Sequence, residues 1–153
     1  MPRTRPKRPA GGIKAPYPGF IEPALATSID RVPLGARWVH EIKFDSYRVQ
    51  VHLREGAAKV FTRRGNDWTN RFRKIAADAW HINAGSAIID GEVVAVDESG
   101  RPSFNILQNY VSSKAPILYY VFDVLVLAGR DVRGMPLSAR RDMLEAAHPI
   151  QGG

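Results

Sequence analysis

Charged side chains interrupt several apolar segments that are otherwise typical of buried β-strands. Lys43, for example, stands within "WVHEIKFDSYRVQVHL". Taken singly, such residues have a simple explanation, because a strand Glu or Lys usually faces solvent and an Asp-Gly pair usually marks a turn. If the strands are neighbours in one sheet, however, the charged groups share one surface. The groups are Glu41, Lys43, Asp45 and Arg48; Arg63 with Gly65; Asp90-Gly91-Glu92; and Phe122-Asp123.

Such a surface has the chemistry of a nucleotide site. Arginine and lysine complement phosphate charge, carboxylates bind ribose hydroxyls or a divalent metal, and an aromatic ring stacks on a base. A lysine whose pKa is lowered by burial and cationic neighbours could also attack phosphorus as a neutral amine. Spacing alone therefore indicates a nucleotide site, but it does not decide between a catalytic Lys43 and one that faces solvent.

The residues around Lys43 are predicted to form a small antiparallel meander. Alternating apolar and polar residues predict strands over 38–44, 47–53 and 58–64, with turns at Asp45-Ser46 and "REGA". In the second strand, Arg48, Gln50 and His52 are predicted to face outward. Lys43 then lies at the end of a strand, next to a turn.

The rest of the chain alternates between predicted helices and strands. The predicted elements are an amphipathic helix over 66–82 that starts at Asn66 or Thr69, a strand over 86–96 interrupted at Asp90-Gly91, a short helix over 103–110, a strand over 117–127 with both faces covered, and a helix over 136–147 capped by Ser138. Strands outnumber helices and hairpins outnumber crossovers. The fold class is therefore α+β, with a mainly antiparallel sheet and packed helices.

Composition suits one soluble intracellular domain of 153 residues preceded by a basic arm. The chain has no cysteine, which excludes disulfides and thiolate catalysis, and no apolar segment is long enough to span a membrane. Of the formal charge of +7, "MPRTRPKRPAGGIK" contributes five basic residues and no acid. We expect residues 1–16 to be a disordered arm, either a solubilising leader or a phosphate contact, and residues 17–153 to be the folded domain.

The segment "EIKFDSYR" resembles motif I of the ATP-dependent DNA ligases, Lys-x-Asp-Gly-x-Arg. The resemblance continues in order through "TRRGNDW", "DGEVVAVD" and "YYVFDVLVLAGRDVRGMPLSARR". Upstream, "GFIEPALATSIDRVPLGARWVHEIKFDSYR" is similar to the start of the ligase domain of bacterial end-joining ligases, so the resemblance covers Gly19 to Leu144. It implies a partial ATP-grasp-like nucleotidyltransferase (adenylation) domain with motifs I, III and IIIa.

The resemblance also implies an activity, cofactors and partners. Lys43 would attack the α-phosphate of ATP to give a lysine-AMP intermediate, with Mg2+ required, and the AMP would pass to nicked double-stranded DNA. The reaction would serve DNA repair and recombination, and the protein would be located in the bacterial cytoplasm, at the nucleoid. The other implied roles are Glu41 at the adenine edge, Arg48 and Arg63 at the ribose and phosphates, Glu92 at a ribose hydroxyl or metal, Asp45 as a further metal ligand, and Phe122 stacked on adenine.

Two departures from the family pattern shape the expectation. Ser46 replaces the glycine of motif I, and the sequence contains neither motifs IV and V nor the OB-fold domain. We therefore expect a truncated ligase adenylation domain with weak or no activity of its own. The alternatives are a non-catalytic nucleotide- or DNA-binding remnant, half of a split ligase completed by a second polypeptide, and an RNA ligase or capping guanylyltransferase.

Overall fold

One six-stranded antiparallel sheet organises the computed structural model, which describes residues 11–24, 46–82, 84–110 and 116–147. The strands are β1 (Ile13–Lys14), β2 (Tyr47–Arg54), β3 (Ala57–Thr62), β4 (Ser86–Ala95), β5 (Ile117–Leu127) and β6 (Arg130–Asp131). The helices are α1 (Arg73–Asp78), α2 (Phe104–Gln108) and α3 (Leu137–Ala147), and Ala79–His81 form a 3₁₀ turn. The strand order is β1-β6-β5-β4-β2-β3. This confirms the α+β fold class.

The hairpin of β2 and β3 and its pairing with β4 bring two of the charged groups together. Glu55 and Gly56 have φ values of 51° and 79°, so the predicted turn joins β2 to β3 through two left-handed residues, as a tight hairpin requires. On the other side of β2, Arg48 lies opposite Glu92. Residues more than 40 positions apart in the sequence are thus neighbours across two strands.

The predicted interruption at Asp90-Gly91 is wrong, because β4 runs continuously from Ser86 to Ala95. Gly91 serves close packing rather than a turn. A Cβ there would overlap the carbonyl oxygen of Tyr120 and would lie 2.9 Å from the Tyr119 ring. The glycine therefore lets β5 approach β4 at this point.

The pairing of β4 with β5 is irregular, because β5 contains two extra residues relative to β4. The sequence pattern did not predict this irregularity. The register shifts by one residue between Ile88 and Ile89 and again between Asp90 and Gly91, so that Leu125 and Phe122 have no partner on β4. Such bulges bend a strand and change the direction of its side chains. Phe122, a predicted site residue, is placed by one of them.

Both faces of the sheet are covered along most of β2 and β4, which corrects the outward placement of Gln50 and His52. These two side chains are only 2% and 7% exposed. The prediction that 117–127 is covered on both faces is wrong for the first half of β5, where Leu118 and Tyr120 are each 44% exposed. The main core lies on the helix side of the sheet, while Tyr17 and Ile21 pack against a smaller cluster of buried residues on the opposite face. The segment that carries Tyr17 covers the face that was expected to meet solvent.

The predicted helix over 66–82 is too long, since α1 begins only at Arg73. The Oδ1 of Asp67 accepts hydrogen bonds from the backbone and hydroxyl of Thr69 at 2.9 and 2.6 Å, which favours a turn over a helix. The Trp68 amide donates to the Val60 carbonyl at 2.8 Å. Residues 66–68 therefore follow the edge of β3, and residues 69–72 form turns instead of a helix.

The predicted cap of α3 is wrong, and α2 has a cap that was not predicted. Ser103 caps α2, because its Oγ accepts from the Ile106 amide at 3.3 Å. Ser138 does not cap α3, which begins one residue earlier at Leu137. The Arg140 amide donates to the Pro136 carbonyl at 3.1 Å, so the first helical hydrogen bond starts at the proline.

The predicted basic arm includes a short strand. Ile13 and Lys14 form β1 and pair with Asp131 and Arg130 of β6. Residues 1–10, and the strand predicted over 38–44, lie outside the described residues. Within the ranges given above, no helix is long and apolar enough to cross a membrane.

Candidate active site

An open cleft of about 390 Å³ lies where β2 begins and β3 ends. The register that pairs Val49 with Thr62 places these two strand ends side by side. The cleft thereby brings together Arg48 and Arg63, which were predicted as site residues from separate segments. Its lining residues are Ser46, Tyr47, Arg48, Thr62, Arg63, Arg64, Asn66 and Trp68.

A tight turn after β3 places two arginines at the rim of the cleft. The Gly65 amide donates to the Thr62 carbonyl at 2.9 Å, and Gly65 itself adopts a φ of 84°. A Cβ on Gly65 would also come within 3.2 Å of the Phe20 ring. Arg63 and Arg64 occupy the turn and are exposed, so their guanidinium groups are accessible to an anion.

Arg48 is held from three sides. Its Nε and Nη2 donate to the two carboxylate oxygens of Asp90 at 3.2 and 2.7 Å, and its Nη1 donates to the Ala24 carbonyl at 2.6 Å. Its guanidinium carbon also lies 5.5 Å from the centre of the Phe122 ring. Because Asp90 neutralises this cation, the uncompensated positive charge of the cleft comes from Arg63 and Arg64.

Glu92 and Phe122 lie next to Arg48 but do not line the cleft. Glu92 is partly buried on β4, opposite Arg48 on one side and Tyr120 on the other. Phe122 contacts Arg48 through its ring. The structure therefore groups three predicted residues on neighbouring strands, with Arg63 in the cleft wall beyond them.

Three predicted residues, Glu41, Lys43 and Asp45, lie outside the described residues. Ser46, three residues after Lys43 in the sequence, is the first described residue of this segment and lines the cleft. Sequence reasoning assigned no role to Arg64 or Trp68, although Arg64 follows directly after Arg63. It also missed that Asp90 orients Arg48.

Two carboxylates lie side by side beneath the site, each with its own arginine. Asp90 is opposite Asp123 in the register of β4 and β5, and Asp123 Oδ1 lies 3.0 Å from Arg140 Nε. Burial raises the pKa of Asp123, and the Arg140 cation partly counters that effect. Both carboxylates are engaged within the protein, and the described part of the chain has no group of three or more potential metal-ligating side chains.

Farther along β2, His52 is buried rather than available for catalysis. Its Nε2 lies 3.1 Å from Gln50 Oε1, and its ring packs edge-on against Phe61 at 4.8 Å. Burial, with a smaller effect from the Lys59 cation, lowers the pKa of His52 to about 4. The imidazole is therefore neutral at physiological pH and is part of the packing behind the site.

Comparison with known proteins identifies relatives for most of the chain. Residues 23–152 match the family described as "ATP dependent DNA ligase domain". The multifunctional non-homologous end joining protein LigD of Pseudomonas aeruginosa is 37% identical over 148 residues, which are 95% of this chain and 18% of that protein. A probable DNA ligase of Streptomyces coelicolor is 34% identical over 84% of this chain and 28% of that protein.

A solved structure agrees with these matches. The mycobacterial DNA ligase D complexed with ATP and MES superimposes with a TM-score of 0.61 at 34% identity, over 69% of this chain and 35% of that one. The chain thus spans less than a third of the length of either curated relative.

Proposed function

Because this chain belongs to the ATP-dependent DNA ligase family, we propose that it forms the part of an adenylation domain in which Lys43 receives AMP from ATP. The cleft that contains Arg48, Arg63 and Arg64 is the observation that supports this proposal most directly. Chain connectivity keeps the Cα of Lys43 within about 11 Å of that of Ser46, in any conformation. This bound is compatible with a lysine side chain that reaches a phosphate held by the arginines.

The proposed reaction is a nucleotidyl transfer. The neutral amine of Lys43 attacks the α-phosphorus of ATP through Nζ. A nitrogen–phosphorus bond forms, the bond from the α-phosphorus to the bridging oxygen breaks, and Nζ releases one proton to solvent. Pyrophosphate leaves with the electron pair. Arg63 and Arg64 are suited to bind the departing phosphates, because neither forms an ion pair with another described residue.

The remaining nucleotide contacts are proposed from the arrangement around Arg48. Arg48 would contact the ribose and phosphate region, and the Phe122 ring beside it would stack on adenine. Since Arg48 already lies over the Phe122 ring, the base would use the other side of that ring. Glu41 would meet the adenine edge.

A magnesium ion, in this proposal, would be carried mainly by the nucleotide. Mg2+ keeps several waters and typically binds through phosphates and one or two carboxylates. Glu92 is partly buried and, unlike Asp90 and Asp123, forms no ion pair among the described residues. Glu92 would bind a ribose hydroxyl or the magnesium ion, and Asp45 would be a further ligand of the ion. The ion would neutralise the negative charge of the triphosphate.

In the complete reaction we propose that AMP passes from Lys43 to the 5′-phosphate at a nick in double-stranded DNA. The adjacent 3′-hydroxyl would then displace AMP and seal the strand. The 153 residues alone should seal nicks weakly or not at all, because motifs IV and V and an OB-fold domain are not among them.

Intact-protein mass spectrometry after incubation with ATP and Mg2+ tests the adenylation. The parent chain should gain the mass of one AMP, Lys43→Ala should gain none, and Lys59→Ala, which removes an exposed lysine of β3, should behave like the parent. An adduct that persists in Lys43→Ala would reject the assigned nucleophile. An arm with GTP in place of ATP tests the guanylyltransferase alternative.

A further inference from the structure

Asp123 and Arg140 form the second of the two carboxylate–arginine pairs beneath the site, and this pair is sheltered from water. Asp123 Oδ1 lies 3.0 Å from Arg140 Nε, and the two side chains are 16% and 17% exposed. In the pair of Asp131 with Arg133, by comparison, the side chains are 27% and 45% exposed. A charge that has lost most of its water depends on its partner. Removal of Arg140 would therefore leave a sheltered carboxylate without its ion-pair partner.

The same carboxylate holds the backbone beside Phe122. Asp123 directly follows Phe122, and its Oδ1 also accepts a hydrogen bond from the Val124 amide at 2.8 Å. Phe122 itself has no partner on β4, because the register skips it. A bulged residue is left unpaired by the ladder, so its direction depends on the residues next to it. On the C-terminal side of Phe122, the Asp123 side chain supplies that support.

Arg140 connects α3 and the turn before it to this bulge. Its Nη1 donates to the Arg133 carbonyl at 3.0 Å, and its amide donates to Pro136 at the start of α3, a helix that packs against β5. The buried Nε–H group is not aligned for a hydrogen bond, so the contact with Asp123 is an ion pair that depends on charge. Arg140 does not line the cleft. Its effect on a ligand would pass through Asp123 and the bulge.

We propose that Arg140 is a positioning residue for the nucleotide, because through Asp123 it fixes the bulge that presents the Phe122 ring to adenine. This inference rests on the proposed adenylation function, in which Phe122 stacks on the base. One side of the ring is already occupied by Arg48, whose guanidinium is held by Asp90. Asp90 lies opposite Asp123 across β4 and β5, so one carboxylate holds the cation at the ring and the other holds the backbone beside it. Nucleotide affinity should depend on Arg140, whereas the attack on the α-phosphorus should not.

A fluorine label reports on the Phe122 ring directly and does not require adenylation. The 153-residue chain is prepared with para-fluorophenylalanine at its six phenylalanines, and Phe122→Leu identifies the Phe122 signal in fluorine NMR spectra. This signal should shift or broaden in Arg140→Gln and stay at the parent position in Arg133→Gln, which removes the cation of the more exposed pair. Arg140→Lys keeps a cation and should bring the signal back towards the parent position. Asp123→Asn removes the same ion pair from its other side and gives the same comparison if Arg140→Gln does not fold.

The affinity for ATP is the functional readout. ATP is titrated against the Phe122 signal in a Lys43→Ala background, in which no adduct should form. Arg140→Gln should raise the Kd for ATP about tenfold, as expected when one base stack is weakened, and Arg140→Lys should recover most of the affinity. Arg133→Gln should bind ATP like the parent. In an Asp123→Asn chain, the further change Arg140→Gln should add nothing, because the two residues act as a unit.

With Lys43 present, the kinetics of adduct formation separate positioning from chemistry. In Arg140→Gln the KM for ATP should rise about tenfold, while the rate at saturating ATP stays within about twofold of the parent rate. A lower rate at saturating ATP with an unchanged KM would overturn the proposal. So would an unmoved Phe122 signal, an equal movement in Arg133→Gln, an unchanged Kd, or a parent chain that does not bind ATP.

The proposed adenylation can fail separately from the positioning role. ATP binding that depends on Arg140, without any adduct in the parent chain, would support the positioning role and reject adenylation. An adduct that forms with the same KM in the parent and in Arg140→Gln would do the reverse.

Discussion

Asp90→Asn tests whether the ion pair with Arg48 supports the sheet as well as the site. The Asp90 side chain is 4% exposed and that of Arg48 is 24% exposed, and two hydrogen bonds join them. Asparagine preserves the shape but removes the charge that compensates the guanidinium. Arg48 would keep the Ala24 carbonyl, the Phe122 ring and at most one hydrogen bond, to the remaining oxygen of the asparagine, and its charge would have no described counter-ion.

Removing one partner of a buried ion pair costs about 3 to 5 kcal/mol. Because Arg48 retains some access to water, we expect the lower end, a loss of about 3 kcal/mol in the free energy of unfolding. For a chain of this length that corresponds to a decrease in Tm of about 6 to 12 °C. Urea unfolding followed by circular dichroism gives the free energy directly, provided that the m-value is unchanged.

The matched control is Glu55→Gln, which removes the carboxylate of the pair between Arg54 and Glu55. These side chains are 55% and 82% exposed and 3.7 Å apart, so the cost should be below about 0.5 kcal/mol. A loss below about 1 kcal/mol in Asp90→Asn would refute the inference that the pair is desolvated and mutually dependent.

Three further predictions concern packing, pH and the cleft. Gly91→Ala should cost about 3 kcal/mol because its Cβ would overlap the Tyr120 carbonyl, whereas Gly85→Ala, with no atom within 4 Å, should change the urea midpoint little. The pKa of His52 falls to about 4 in the folded state, so its contribution to the free energy of unfolding is full above pH 6.5. The free energy of unfolding should decrease by about 3 kcal/mol as the pH falls to 4. In His52→Gln, urea titrations at each pH should show a smaller dependence of this free energy on pH. Arg63→Gln should slow formation of the AMP adduct about tenfold or more. Because Arg63 is at an exposed turn position, the Tm should not change. A rate equal to that of the parent would refute the assignment of Arg63 to the site.

Strand positions were predictable wherever period-2 alternation or a long β-branched run dominated. The predicted strand over 117–127 coincides with β5, and the turn at Glu55-Gly56 joins β2 and β3 as expected. The helix over 66–82 failed because apolar residues spaced three and four apart also occur in a segment that turns. The hydrogen bonds of Asp67 with Thr69 favour a turn in that segment, and the spacing of apolar residues does not reveal them.

The sequence could suggest residue types for the candidate site, which stay a prediction, but it could not show how those residues pair. Arg48 and Arg63, predicted from separate segments, line one cleft. The bulge at Phe122 and the ion pair of Arg48 with Asp90 depend on the register of three strands, which no single segment encodes. Burial of Gln50 and His52 likewise depends on residues near Tyr17, about 30 positions upstream.

The segment from Gly11 to Ala24 has a consequence for the order in which the chain can fold. Tyr17 donates to the Ala87 carbonyl across a separation of 70 residues, and Arg130 donates to the Gly11 carbonyl across 119. Contacts this distant in sequence close large loops and form slowly. During synthesis the N-terminal segment emerges first, but its partner in β6 is made more than 100 residues later. The contact between Gly11 and Arg130 is therefore among the interactions completed late, after most of the sheet has been translated.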